Sequence, residues 1–220
     1  MFGFLPPGVA EVLLVLVLLA AFVVVVRSFR QRHTVGARIL ATPQTDLPTV
    51  TTGQRVTATV RRVWRDNAQG VTLVEIQMGK RRFVFCPTDS GTSEERYAAL
   101  IGKEADIALY ALSTLALGGV DTMRDQIKDY DKVKVTPDLV RLIPAGQFAN
   151  DHAVIGRILS HREDTMSDGT PLHIYRTQVV RGDDLTLVLE LATDTENHSS
   201  PFADQAMVHG SARLFGYLAP

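Results

Sequence analysis

Residues 55–86 read RVTATVRRVWRDNAQGVTLVEIQMGKRRFVFC, and this stretch decides the fold. Val56, Ala58 and Val60 alternate with Arg55, Thr57 and Thr59, the period of a strand with one buried and one wet face. At Arg61-Arg62 the alternation slips by one, as at a β-bulge. Asn67 to Gly70 is turn chemistry, VTLVEIQM (71–78) a second strand, Gly79-Lys80 a tight turn and RRFVFC (81–86) a third strand, so the stretch predicts an antiparallel meander.

Working outward, Ser93, Glu94 and Glu95 with Tyr97, Leu100 and Ile101 predict a short helix capped by Ser93 or Thr92 and closed by Gly102. ADIALYAL (105–112) returns to strand. The order then recurs. HAVIGRILSH (152–161) is a strand, REDTMSDGTP (162–171) a turn, LHIYRTQVV (172–180) a strand, residues 181–184 a turn and LTLVLELA (185–192) a strand; SSPFADQAM interrupts before HGSARLFGYL (209–218). This is a repeat of pattern and not of residues.

Three antiparallel strands, a short helix or loop, then further strand is the order of a five-stranded OB-like barrel, with an SH3-like barrel or one larger sandwich as alternatives. The expected fold is mainly β: an antiparallel OB-like module at 55–150 with a helical insertion, and a second β module at 151–220. KVKVTPDLVRLI (132–143) offers the first module a fifth strand, and Ala37 to Ala41 offers one to the second. Within the insertion, Met123, Ile127 and Tyr130 share one face of a helix capped by Asp121, suited to packing on the barrel or to meeting a partner.

Upstream, Gly8 to Val26 reads GVAEVLLVLVLLAAFVVVV. As a helix these residues would be about 28 Å long, near the roughly 30 Å hydrocarbon core of a bilayer. Pro6 and Pro7 suit a helix start, Glu11 reaches headgroup water from one end, and Arg27, Arg30 and Arg32 close the other. No Lys or Arg precedes the apolar run, as a secretory signal would require. The expectation is a single-pass anchor within 1–33, its short N-terminus outside and residues 34–220 cytoplasmic by the positive-inside tendency, with 34–54 a Thr/Pro/Gly-rich tether.

The chain carries 23 basic and 24 acidic residues, a net charge of -1, which argues against coating nucleic acid through bulk charge. A single cysteine, Cys86, excludes an intrachain disulfide and reads as a small buried side chain ending a strand. Locally, residues 55–86 hold seven basic residues against Asp66 and Glu75, whereas 151–220 hold five Arg against ten Asp or Glu. The candidate contact surface is therefore the basic and aromatic set Arg61, Arg62, Trp64, Arg65, Lys80, Arg81, Arg82 and Phe83, with Phe83 and Phe85 alternatively sharing a core face. Such a face suits a protein partner, anionic lipid headgroups or stacked single-stranded bases.

No catalytic motif emerges. There is no GxSxG elbow, no phosphate-cradling GxxxxGK[ST] and no GxGxxG. DTMSDG (164–169) begins like a calcium loop but places Met166 and Tyr175 where oxygen ligands are needed. His161 and His173 flank one turn but lack zinc-ligand spacing. No cofactor or metal is implied. The function expected is a membrane-anchored adaptor or assembly subunit, acting by contact with a membrane-protein partner, or else a ligand-binding module for lipid or nucleic acid. Self-association stays open.

Overall fold

The computed structural model of the chain describes residues 53–67, 70–89, 93–118, 139–165, 169–195 and 200–220. The expected anchor at 8–26, the tether and the 121–130 helix with Met123, Ile127 and Tyr130 lie outside these residues. Among the described residues no helix is long and apolar enough to cross a membrane.

The meander is present as β1 (Gln54–Asp66), β2 (Val71–Met78) and β3 (Arg81–Pro87), with a register shift between Val60 and Arg62 where the alternation slips. Helix α1 (Ser93–Ala98) follows, then the long strand β4 (Glu104–Leu117). The second half supplies β5 (Arg141–Pro144), β6 (Asp151–Thr165), β7 (Pro171–Arg181), β8 (Thr186–Asp194) and β9 (Met207–Leu218). The nine strands of the described residues form one mainly antiparallel but mixed sheet in the order β1-β2-β3-β9-β4-β8-β7-β6-β5.

Extra pairings of β1 with β4 and β9 with β6 bend that sheet into two closed circuits. The first runs β1-β2-β3-β9-β4 and back to β1, the second β6-β7-β8-β4-β9 and back to β6. Each circuit takes three strands and a fourth from its own half, and its remaining wall from the other half. Strand β4 begins beside β1 (Glu104 to Leu109) and ends beside β8 (Tyr110 to Leu112), whereas β9 begins beside β6 and ends beside β3. The two contacts that complete the circuits, β3 with β9 and β4 with β8, are parallel, a departure from the all-antiparallel expectation. Nor does the 132–143 stretch finish the first circuit, because its described strand, β5, pairs with β6 instead.

The halves match in detail. In the first, Gly102 N donates to Val60 O at 2.8 Å and Val60 N to Lys103 O at 3.0 Å; in the second, Gln205 N donates to Ile158 O at 2.8 Å and Ile158 N to Ala206 O at 3.0 Å. Both anchor strands shift register just after this point, between Val60 and Arg62 and between Ile158 and Ser160. Both donors adopt positive φ, Gly102 at 81° and Gln205 at 66°. A glycine accepts that conformation without strain and a glutamine does not.

Packing follows the strand period. Val74 and Ile76 (β2), Phe85 (β3), Leu109 and Ala111 (β4), Tyr175 (β7), Leu191 (β8) and Leu214 (β9) point inward and are fully or almost fully buried. Each circuit is plugged by an aromatic from the segment before its fourth strand. Tyr97 of α1 packs edge-on to Phe85 at 5.8 Å, and Phe202 packs on Tyr175 at 5.2 Å. Residues of opposite parity form a second cluster between outer faces: Leu73, Cys86, Tyr110, Leu112, Ile174 and Phe215 belong to it, with Tyr110 stacked on Phe215 at 5.7 Å. Seven successive β4 residues, Ile107 to Ser113, are therefore buried on both faces.

Two substitutions test these features in opposite directions. An alanine Cβ at Gly210 would collide with the Thr114 carbonyl oxygen across the β4–β9 ladder. Gly210→Ala should lower unfolding free energy by about 3 kcal/mol, the scale of overpacking against backbone, while Gln205→Gly should raise it by up to about 1 kcal/mol through relief of positive-φ strain. Denaturant unfolding of the detergent-solubilised chain measures both; equal stabilities would contradict the register and the backbone geometry respectively.

Candidate functional site

The register slip in β1 places Arg61 and Arg62 on the same outer side of the meander. Arg61 Nε donates to Gln77 Oε1 at 2.9 Å, and the Arg62 guanidinium carbon lies 4.9 Å from the centroid of the Trp64 ring. Across β2, Arg82 Nη1 meets Glu75 Oε1 at 3.1 Å, with the Arg82 side chain 65% exposed. Arg61, Arg62, Trp64 and Arg82 thus form one patch around a single carboxylate. The ion pair is solvated and worth little in stability, and the Arg62–Trp64 contact adds about 0.5–1 kcal/mol as an exposed cation–π pair. The patch is a presented surface more than a stabilising one.

Other members of the predicted set go elsewhere. Arg65 is exposed and lies opposite Thr72, one residue out of phase with Trp64. Lys80 is exposed in the β2–β3 turn. Arg81 reaches the β7–β8 turn, where a methyl built on Gly182 would sit 3.2 Å from its Nη2 and 3.4 Å from Asp184 Oδ1. Phe83 is corrected from the surface to the core: it is 4% exposed, because its parity is that of Phe85 and opposite to Arg82. Trp64 is half-buried, its ring covered by Arg62 and packed against the cluster between the outer faces.

The corresponding outer face of the second half is internally neutralised. Arg162 Nη1 donates to Asp164 Oδ2 at 2.7 Å and Nη2 to Glu190 Oε2 at 3.3 Å. The Arg162 guanidinium, with the Thr165 amide, holds the Asp164 carboxyl below its ordinary range. The charge asymmetry read from composition therefore becomes a spatial one, with an open basic patch on one half and a closed ion network on the other.

Several polar contacts fasten the strands, within the second half and, at Ser113–Thr193 and Leu218–Asp89, between the halves, and residue type gave no sign of them. Arg213 Nε and Asp151 Oδ1 pair at 2.7 Å, both side chains 13% exposed, and the Arg213 guanidinium sits 4.7 Å from the Phe148 ring centroid. Asn150 Nδ2 donates to Leu214 O at 3.1 Å. Ser113 and Thr193 share a hydroxyl hydrogen bond of 2.9 Å where β4 runs beside β8. Asp89 accepts from the Tyr97 hydroxyl at 3.2 Å and from Leu218 N at 3.3 Å. Burial and the Asp89 carboxylate together raise the Tyr97 phenol well above its usual range, so it stays a donor. The Asp89 contacts fasten α1 and β9 to the first circuit, and the Ser113–Thr193 contact fastens β4 to the second.

As for metal chemistry, His161 and His173 both neighbour Tyr175, with ring centroids 6.3 and 5.9 Å from its own. Among the described residues no three His, Cys, Asp or Glu side chains converge as a metal site requires. Cys86 is buried, its Sγ donating to Thr72 O at 3.3 Å. No protein-family model matches the chain, and no curated protein matches it either.

His152 supplies a pH test. It is 2% exposed, and burial lowers its pKa below the ordinary imidazole value of about 6.5, opposed by a hydrogen bond to Asn150 O. With the folded value below the unfolded one, the unfolded chain takes up the proton first as pH falls. Stability is then full above about pH 6.5 and declines below it, by at most about 1.4 kcal/mol per pH unit for this group. His152→Gln should flatten that decline in denaturant titrations between about pH 7 and pH 5; an unchanged slope would assign the acid sensitivity elsewhere.

Proposed function

We propose that the chain is a single-pass, membrane-anchored adaptor. Its two OB-like barrels, fused by exchange of strand ends, bind a protein partner at the cytoplasmic face of the membrane. Support for the barrel reading comes from two five-membered strand circuits, each with a helix or loop between its third and fourth strands. The observation that carries the binding reading is the open patch of Arg61, Arg62, Trp64 and Arg82 around one carboxylate, on a rigid sheet that follows the predicted anchor by a short tether. An anchor confines such a patch to a surface, so that contacts too weak to act in solution suffice through local concentration.

The same patch favours one second reading, contact with anionic lipid headgroups, since each nearby arginine adds roughly 1 kcal/mol at a negatively charged leaflet. Single-strand nucleic acid is the weaker fit. Base stacking needs free aromatic platforms, whereas Phe83 is buried and the Trp64 ring is already covered by Arg62.

The test is affinity purification from native membranes, comparing the parent chain with the triple variant Arg61→Glu/Arg62→Glu/Arg82→Glu, whose sites are all exposed. The adaptor reading expects one partner recovered in fixed proportion and lost from the variant. A partner recovered equally from both would remove the patch from the site. Salt-sensitive binding to anionic vesicles, with no protein partner, would move the function to the lipid reading. Extraction of the chain by alkaline carbonate would contradict the anchor.

A further inference from the structure

On the outer face of the meander, Arg62 of β1 stands directly across from Glu75 of β2, and Arg82 of β3 directly across from Gln77 of β2. Glu75 therefore lies between two arginine-bearing strands about 10 Å apart. Its Oε1 accepts from Arg82 Nη1 at 3.1 Å, and among the described residues Arg61, Arg62 and Arg82 form no other ion pair. Three guanidinium groups share one carboxylate here. In the second half the ratio is reversed, because Arg162 alone takes both Asp164 and Glu190.

The arginines are also held with donors to spare. The Arg62 guanidinium carbon sits 4.9 Å over the Trp64 ring centroid, a contact that uses the face of the group and leaves its N–H edges free to fork onto a carboxylate. Arg61 is steadied through Nε alone, by Gln77 Oε1 at 2.9 Å. Arg82 is 65% exposed and Glu75 20%, so an acid arriving from solvent reaches Arg82 on its open side. Glu75 shows which chemistry this face receives. A flat anionic leaflet would press against Glu75 together with the arginines and be repelled by it. An extended peptide carries alternate side chains about 7 Å apart on one side, and sets one acid on Arg62 and the next on Arg82 with Glu75 between them.

We propose that the partner engages this face through an extended acidic segment, and that Glu75 is its built-in competitor, holding Arg82 until a partner carboxylate replaces it. This deepens the adaptor reading, rests on it, and names the chemistry of the partner.

The experiment titrates the full chain in detergent with labelled hexaglutamate at about 50 mM salt, where exposed charges are weakly screened. Hexalysine, hexaserine and phosphatidylserine vesicles are the comparisons. Hexaglutamate should bind saturably and the other two peptides not at all. Arg62→Gln/Arg82→Gln should weaken binding about tenfold, whereas Glu75→Gln should strengthen it about threefold, steps on the scale of exposed charge pairs. Glu163→Gln, the same charge change at an exposed site of the second half, should leave the affinity unaltered. Because the Glu75→Gln effect is a gain, misfolding cannot imitate it. The proposal is overturned by absence of saturable hexaglutamate binding, by Glu75→Gln binding no tighter than the parent, by equal strengthening in Glu163→Gln, or by vesicles binding where hexaglutamate does not. A native partner still lost from the triple arginine variant, with hexaglutamate inert, would overturn the acidic chemistry and leave the adaptor reading standing. Hexaglutamate binding with the expected variant pattern, and no native partner recovered, would sustain the chemistry and remove the adaptor.

Discussion

The antiparallel ladder between β4 and β9 is the contact on which the rest of the structure depends. It pairs residues continuously from Ile107 with Leu218 to Leu117 with Val208. A single small barrel needs only about half of so long a strand. Because each strand overruns its own circuit, it becomes the missing wall of the other, and neither circuit closes without both. The ladder also accounts for the close backbone approach at Gly210 and Gly216, where a Cβ would press on the carbonyls of Thr114 and Ala108. Hydrophobic burial is non-directional and would tolerate other arrangements; the hydrogen-bonded register selects this one.

From that ladder follows the division of surfaces. Joining two circuits along one seam presses their outer faces together around Leu73, Cys86, Ile174 and Phe215, and Trp64 is caught at the margin of the seam. What remains outside differs between the halves despite their matched backbones. At equivalent places on the outer faces, the first half presents Trp64 under Arg62, and the second presents Arg162 bound to Asp164 and Glu190. One scaffold used twice thus yields an open cationic patch and a self-satisfied ionic face, so that matched backbones present different surfaces.

Much of the local architecture was legible. The β1 alternation and its slip at Arg61-Arg62, the turn at Gly79, the helix from Ser93 and the repeated strand order all rest on short-range chemistry, and all appear in the structure. Partner choice between distant strands was not legible, because GSARLFGYL has the same alternation whether it ends one barrel or crosses into another. Loop-closure entropy makes a nearby segment the default fifth strand, and hence the expectation for 132–143. The sequence did hold one signal against it: IALYAL is apolar at consecutive positions, the mark of a strand covered on both faces, where a half-exposed wall would alternate. The candidate surface was legible in charge, and the shared face of Phe83 and Phe85 already pointed to the core where both lie, but no residue pattern marked His173 as buried without a partner.

The most direct test of the shared ladder separates the halves. Residues 34–130 and 131–220, expressed apart, should each lack a wall, giving poorly dispersed amide spectra or self-associated material. Mixed in equal amounts, they should recover one dispersed spectrum of a one-to-one complex, as strands long enough to reach the other half require. A monomeric, well-dispersed and cooperatively unfolding 34–130 fragment, unchanged by its counterpart, would show that the first barrel closes by itself and would contradict the account.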